Sequence, residues 1–260
     1  MIRLSAVIFL VSILAFCLPL RMSAQDEVRN WGNDFDGLIG ISIGQAVPLG
    51  SFASTDDTIQ SGYARTGRMW NAHIECRPAD FPIGLMLRYS LLRLPFDTEA
   101  LFQFWAIAFP AVTFAPRSNP WEIHSTQASL IYRTELMDGK ADLSFGAGLG
   151  FHRFTRPKPV IDYRVEQVYR GNTYSIPWTW VHEPFTDAVL SYNAVVRFGY
   201  AITPKLTAQL MLDYQHSNVV IKVRSTYETI YLPDRYFYGY WDLEHTIQVI
   251  QGQVGLSYRF

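Results

Sequence analysis

Thr246-Ile247-Gln248-Val249-Ile250-Gln251-Gly252-Gln253-Val254-Gly255-Leu256-Ser257-Tyr258-Arg259-Phe260 is the stretch on which the fold turns. Counted back in twos from Phe260, one set is Tyr258, Leu256, Val254, Gly252 and Ile250; the other is Arg259, Ser257, Gly255, Gln253 and Gln251. Successive side chains of a strand point to opposite sides, so this is a strand with one apolar and one polar face. The apolar face needs either the core of a soluble sheet or a bilayer. In a membrane barrel the polar face lines the lumen. Alternation alone leaves both open.

Composition narrows the choice. The chain has 260 residues, 15% of them aromatic and only 17% charged, with a net charge of -1. All-β barrels of this length commonly form one domain. There is much apolar surface to place and no general attraction to nucleic acid. The N-terminus reads Met1-Ile2-Arg3, an apolar run from Leu4 to Leu20, then Arg21-Met22-Ser23-Ala24-Gln25. That order predicts a secretory signal over 1–24, cleaved after Ala24, and a mature barrel domain over 25–260. A transmembrane anchor is the competing explanation, since the run approaches spanning length, but no other stretch looks helical and apolar enough to join it. Leu14-Ala15-Phe16-Cys17 has Phe16 where a lipoprotein box needs a small residue, so lipidation is not expected. With Cys17 removed, Cys76 is the only cysteine, which excludes an internal disulfide and a cysteine-built zinc site. No cofactor or metal is expected.

Seven more alternating segments precede the last: Gly37 to Val47, Arg68 to Arg77, Ile83 to Leu91, Ile123 to Glu135, Leu143 to His152, Leu190 to Tyr200 and Leu206 to Gln215. Connections after the second, fourth and sixth are short, with Asp138-Gly139-Lys140 a strong hairpin signal. Those after the first, third, fifth and seventh are long, the first of them, Ser51 to Thr66, being read as a polar loop. Short turns on one rim and long segments on the other are the layout of bacterial outer-membrane barrels, which soluble sandwiches and lipocalin-like barrels do not require. The expected fold is therefore all-β, an antiparallel up-and-down transmembrane β-barrel of eight strands. Ten strands remain open if the segment after Leu94 adds two. Gly146, Gly148 and Gly150 form a column on the inward face of the fifth strand, as in a narrow barrel with little room for side chains.

A terminal strand closing on Phe260, with Tyr258 and Leu256 at alternate positions before it, resembles the signal by which outer-membrane barrels are recognised for insertion. Gly40-Ile41-Ser42-Ile43-Gly44 running to Pro48-Leu49-Gly50-Ser51-Phe52, then Gly62-Tyr63-Ala64-Arg65-Thr66-Gly67, and the closing Gly255-Leu256-Ser257-Tyr258-Arg259-Phe260 resemble the small outer-membrane barrels of Bacteroidetes-type bacteria. Those are similar to the eight-stranded OmpA and OmpX barrels. The resemblance implies a Gram-negative cell envelope, an outer-membrane address, lipid and lipopolysaccharide as neighbours, and the barrel assembly machinery as a partner. It assigns no reaction, and no peptidoglycan-binding module is expected after Phe260.

The inward set holds His73, Glu75, Arg88, Arg133, Glu135, Arg197, Asp213 and Arg259. Charges in a narrow lumen must be paired, so a hydrogen-bonded ion network is expected; the alternative is a narrow passive channel. Tyr214-Gln215-His216-Ser217-Asn218 is similar to the His-x-Ser-Asn motif of lipid A deacylases, in which histidine serves as base for a nucleophilic serine. Here His216 and Ser217 are adjacent and face opposite ways unless a bulge intervenes, and neither Glu228 nor Asp234 is fixed as the orienting carboxylate. Leu101 to Phe114 is too short to span as a helix and too apolar for a solvated loop. It is expected to extend the third and fourth strands with a bend at Pro110; a lipid-dipping hairpin, a plug or a docking face are the alternatives. Val160 to Trp180 and Val219 to Trp241 alternate far into their loops. Arg170-Gly171-Asn172 makes a turn in the first, and Val219, Ile221, Val223 and Ser225 alternate before Pro233-Asp234 in the second. Tyr169, Tyr174, Trp178, Tyr236 and Tyr238 belong to an interfacial belt or to a contact surface for ligands.

Overall fold

The computed structural model describes residues 35–55, 61–78, 81–108, 113–182, 185–229 and 232–260; the leader and its cleavage site lie outside them. The described residues hold eleven strands: β1 (Phe35–Leu49), β2 (Gly67–Pro78), β3 (Ile83–Leu94), β4 (Thr113–Arg117), β5 (Trp121–Leu136), β6 (Ala141–Thr155), β7 (Val160–Tyr169), β8 (Asn172–His182), β9 (Thr186–Ala201), β10 (Leu206–Thr229) and β11 (Leu232–Arg259). Eight of them run in the order β11-β1-β2-β3-β5-β6-β9-β10, and pairing of β10 with β11 closes the ring. Closure satisfies every barrel strand on both edges, which lipid demands of a spanning sheet.

Side-chain alternation divides the wall cleanly. Ile41, Ile43, Leu130, Leu149, Leu190 and Val254 are more than half exposed, while Ser42, Asn71, Gln127, Ser129, Asn193, Gln209 and Gln253 are buried in the lumen. Apolar outside and polar inside is the arrangement of a transmembrane barrel and the reverse of a soluble one. The glycines of β6 leave room both for the backbone of β5 and for the side chains that fill the lumen: a Cβ at Gly146 would meet the Ile131 side chain. A Cβ at Gly148 or Gly150 would run into the carbonyl oxygens of Ala128 and Thr126 on β5.

The turn between β5 and β6 places Met137, Asp138 and Gly139 at φ of 52°, 53° and 80°, with the Lys140 amide donating to the Met137 carbonyl over 3.1 Å. Glycine takes that left-handed backbone without strain. On the other rim the strands do not stop at the bilayer. β6 pairs with β9 up to Thr155 opposite Thr186, and β7 with β8 from Val160 opposite Val181 to Tyr169 opposite Asn172. The Arg156 amide donates to Phe185 and the His182 amide to Pro159, so one ladder bridges the interval holding Pro157 and Pro159. Its tip is the two-residue turn Arg170-Gly171, at φ 51° and 79°, the combination a hairpin turn prefers. β10 and β11 pair without a shift from Leu206 opposite Tyr258 to Ser225 opposite Gly239. Beyond the barrel, β10 pairs with β8 (Ser225 opposite His182) and β7 pairs with β4. An upper sheet β11-β10-β8-β7-β4 therefore stands on one side of the mouth.

Two expectations fail here. The described parts of the stretch from Leu101 to Phe114, 101–108 and 113–114, neither extend the neighbouring strands nor supply a ninth and tenth, because the barrel closes at eight without them; the bend expected at Pro110 lies outside the described residues. Thr98–Ala108 is a helix, and 113–117 is β4, in the upper sheet. Asp97 accepts a hydrogen bond from the Ala100 amide over 3.0 Å. This N-cap followed by Glu99-Ala100-Leu101 is the start signal that outweighs the period-2 apolar pattern. An 11-residue helix is about 16 Å long, so it does not span. The loop 51–66 is not merely polar. A single helical turn, α1 (Gly50–Ala53), puts Phe52 fully inside the barrel mouth; the helix at Thr98–Ala108 is α2. Pro233 and Asp234 lie at the start of β11.

Candidate functional site

The lumen is filled in layers. At the short-turn rim, Asp36 receives Arg77 Nη2 at 2.8 Å, Arg133 Nη1 at 3.2 Å and Arg259 Nε at 3.5 Å. Arg133 also reaches Asp142 at 2.9 Å, and Arg197 pairs with Glu75 and lies 3.7 Å from Asp142. Asp36 thus ties β1 to β2, β5 and β11. Midway, Arg88 and Asp213 form a fully buried pair at 2.7 Å. Arg88 also donates to Gln127, and Gln215 donates to the second Asp213 oxygen at 2.7 Å. Met86, Ile131, Val195 and Met211 pack in the same storey. Above them, His152 lies between Ser217 Oγ and Gln215 Oε1, 3.0 Å from each. The outer storey is apolar: Phe52, Leu92, Leu94, Trp121, Ile123, Phe154, Ile247 and Val249 are all buried. Phe52 meets Trp121 edge-on at 5.2 Å, and the Trp121 indole donates to the Gly62 carbonyl at 2.9 Å.

The expected lumen residues Glu75, Arg88, Arg133, Arg197 and Asp213 are buried together, with His73 beside them. Arg259 sits at the rim, and Glu135 lies outside the enclosed set, 58% exposed and 3.6 Å from Arg77. Asp36, Arg77, Asp142, Gln127 and Gln215 were missed, although parity offers the signal: Asp36 shares a face with Leu38, and Asp142 with Ser144.

His216 and Ser217 do not meet. No register shift interrupts β10 between Leu206 and Ser225, so they point to opposite faces. Ser217 turns inward to His152, while His216 turns outward, stacks on Tyr192 at 4.5 Å and contacts Tyr214 and Gln248 at Nδ1. The Ser217–His152–Gln215 chain has the hydrogen-bond order of a hydrolytic triad. All three side chains are sealed beneath the apolar storey. Leu256, Tyr258 and Phe260 project from the outer wall. Among the described residues no group of histidine, cysteine and carboxylate side chains could hold a metal ion.

Above the mouth, an aromatic row crosses from α2 into the upper sheet: Phe102 to Phe114 at 6.3 Å, Phe114 to Tyr163 at 6.0 Å, and Tyr163 stacked on Trp178 at 6.4 Å. Trp178 is half-buried; the side chains of Tyr169, Tyr174, Tyr236 and Tyr238 lie outside the described set. Nearby, burial and the charge of Arg156 push the His182 imidazole down to about 3, and burial pulls Arg156 down to about 10.

No family model and no curated protein matches the sequence. Solved structures with a similar chain path include Neisserial surface protein A, 11% identical over 87% of this chain and 97% of that one, with a TM-score of 0.42. A major outer membrane protein from Thermus thermophilus is 12% identical over 86% and 99%, at 0.49. Ail, the attachment invasion locus protein of Yersinia pestis, is 12% identical over 87% and 99%, at 0.40.

Proposed function

We propose that the chain is an integral protein of a Gram-negative outer membrane whose role is surface interaction, carried by α2 and the upper sheet. The carrying observation is that two hairpins continue far past the length a bilayer needs. A spanning strand takes about 9–11 residues; β10 has 24 and β11 has 28. At about 3.3 Å per residue, such excess builds a rigid platform well above the headgroups. Its aromatic row offers broad, stiff contact area to a surface protein or ligand. Export by the 1–24 leader, cleavage after Ala24, and delivery of the 25–260 barrel through the Leu256-Tyr258-Phe260 strand to the assembly machinery belong to the same proposal. Lipopolysaccharide and outer-leaflet lipid are its surroundings.

The filled lumen favours this role over a narrow channel, and the sealing of Ser217 favours it over lipid hydrolysis. Planar-bilayer recording and mass spectrometry of lipid A from cells with and without the protein test the two alternatives. Steady conductance or an altered acyl pattern would overturn the proposal. The surface role itself is tested by removing 163–175. The barrel should stay folded by heat-modifiable gel mobility while surface binding by intact cells falls; unchanged binding would refute it.

A further inference from the structure

The outer wall carries a feature that neither the lumen nor the upper sheet explains. On β3 the outward residues are Ile83, Leu85, Leu87, Tyr89 and Leu91, then Arg93. Ile83 to Leu91 covers about nine residues, one spanning length. The adjacent strands change character at the same level: β2 from Trp70 to Arg68, β5 from Thr126 to His124 and Glu122, β6 from Phe151 to Arg153. Register joins them into a patch. Arg68 lies opposite Arg93, Arg93 opposite Glu122, and His124 opposite Arg153.

Like charges directly opposite across two strands are destabilising, and here there are three guanidinium groups for one carboxylate. Glu122 is committed to Arg93 at 3.1 Å, both well exposed. Arg68 and Arg153 are exposed and have no ion pair among the described residues. Below them, Trp70 meets Tyr89 at 5.5 Å, and the Tyr89 hydroxyl bonds His124 Nδ1 at 2.6 Å. Trp and Tyr of this kind mark the headgroup level. The opposite wall is different. One spanning length above Tyr200, Leu206 and Tyr258, β9, β10 and β11 present Leu190, His216 and Gln248 with no arginine.

We propose that Arg68, Arg93 and Arg153 form a binding site for the phosphate-monoester headgroup of an outer-leaflet lipid, with Trp70 and Tyr89 against its upper acyl chain. The site rests on the membrane assignment made above. Guanidinium groups suit it because their planar forks grip phosphate oxygens in pairs. Phosphate also relieves the Arg68–Arg93 repulsion, which Glu122 offsets only on the Arg93 side.

The test uses the purified full chain, folded in neutral detergent and in vesicles, with lipid retention read by native mass spectrometry. Phosphatidic acid should be retained over phosphatidylcholine by about tenfold or more, as two or three surface arginines supply. The Arg68→Gln/Arg153→Gln double variant should lose the preference, and Glu122→Gln should strengthen it. Heat-modifiable mobility checks that each variant is folded, and both substituted arginines are exposed. No preference in the folded wild type, or a preference surviving in the folded double variant, would overturn the site. Should the double variant fail to fold, Glu122→Gln decides: a stronger preference supports the site and an unchanged one refutes it. Inorganic phosphate competing as well as the lipid would overturn the lipid assignment in favour of a free anion. A chain that does not enter vesicles would defeat the membrane assignment, and this site with it.

Discussion

The two ends of the lumen solve the same problem by opposite means. At the short-turn end, Asp36 collects guanidinium groups from β2, β5 and β11, and Arg133 and Arg197 share Asp142. At the outer end Phe52, Trp121, Phe154 and Ile247 close the bore with hydrocarbon. Directional pairs fix which strands stand where, and their removal leaves charges stranded. Apolar packing is indifferent to direction and keeps water out. Strand order is therefore secured near the short-turn rim, and the seal is made at the rim that carries the long segments.

The sharpest way to break that division is at its middle. Arg88→Ala should destabilise the barrel by about 3–5 kcal/mol, because Asp213 is left charged and buried. Arg88→Met/Asp213→Leu should recover most of that loss. Urea unfolding in lipid vesicles measures both, and equal losses would mean the pair is not the source. Phe52→Ala comes next at about 3 kcal/mol, the low end for a buried aromatic, since α1 can lift away rather than leave a cavity. Here the more telling measurement is water access: amide exchange on β5 near Trp121 should rise while exchange near Arg133 stays the same. Ser217→Ala removes one hydroxyl partner of His152 and should cost about 1 kcal/mol. A much larger change would assign Ser217 more than a lumen bond.

A further effect lies above both ends. His182 is held neutral in the fold, well below the value of about 6.5 it regains on unfolding. The unfolded chain therefore takes up the proton first, and stability of the upper sheet is full above about 6.5 and falls as pH drops toward 3. Amide protection factors at Val181 and His182, taken relative to the intrinsic exchange rate at each pH, should fall between about pH 7 and 4.5, and His182→Gln should flatten the dependence. If the loss of protection persists in the variant, another group is responsible.

What could be read in advance follows the physics of the strand. Period-2 alternation is local, so Ile39-Ile41-Ile43 and the terminal Val254-Leu256-Tyr258 declared an outer wall, and alternating connection lengths declared its count. Lumen occupants were half legible for the same reason: Arg88 and Asp213 share an inward parity, but nothing local says that they touch across the bore. Asp36 was hidden in a polar lead because the strand begins earlier than its apolar residues. Phe52 and α2 were misread because both lie where apolar residues no longer alternate, and the deciding cues were a helical turn and the Asp97 cap. The adjacency of β8 and β10 is non-local, and no stretch of the chain announces it.

The ladder that runs from Ala141 and Tyr200 up to Tyr169 and Asn172 has a mechanical consequence. Only four residues on each arm interrupt it, and the hydrogen bonds at Arg156 and His182 bracket the gap. A tug on Arg170-Gly171 travels down both arms at once and reaches the bilayer as shear against β5 and β10, loading many rungs together instead of peeling them singly. A partner gripping that tip pulls on an anchored post.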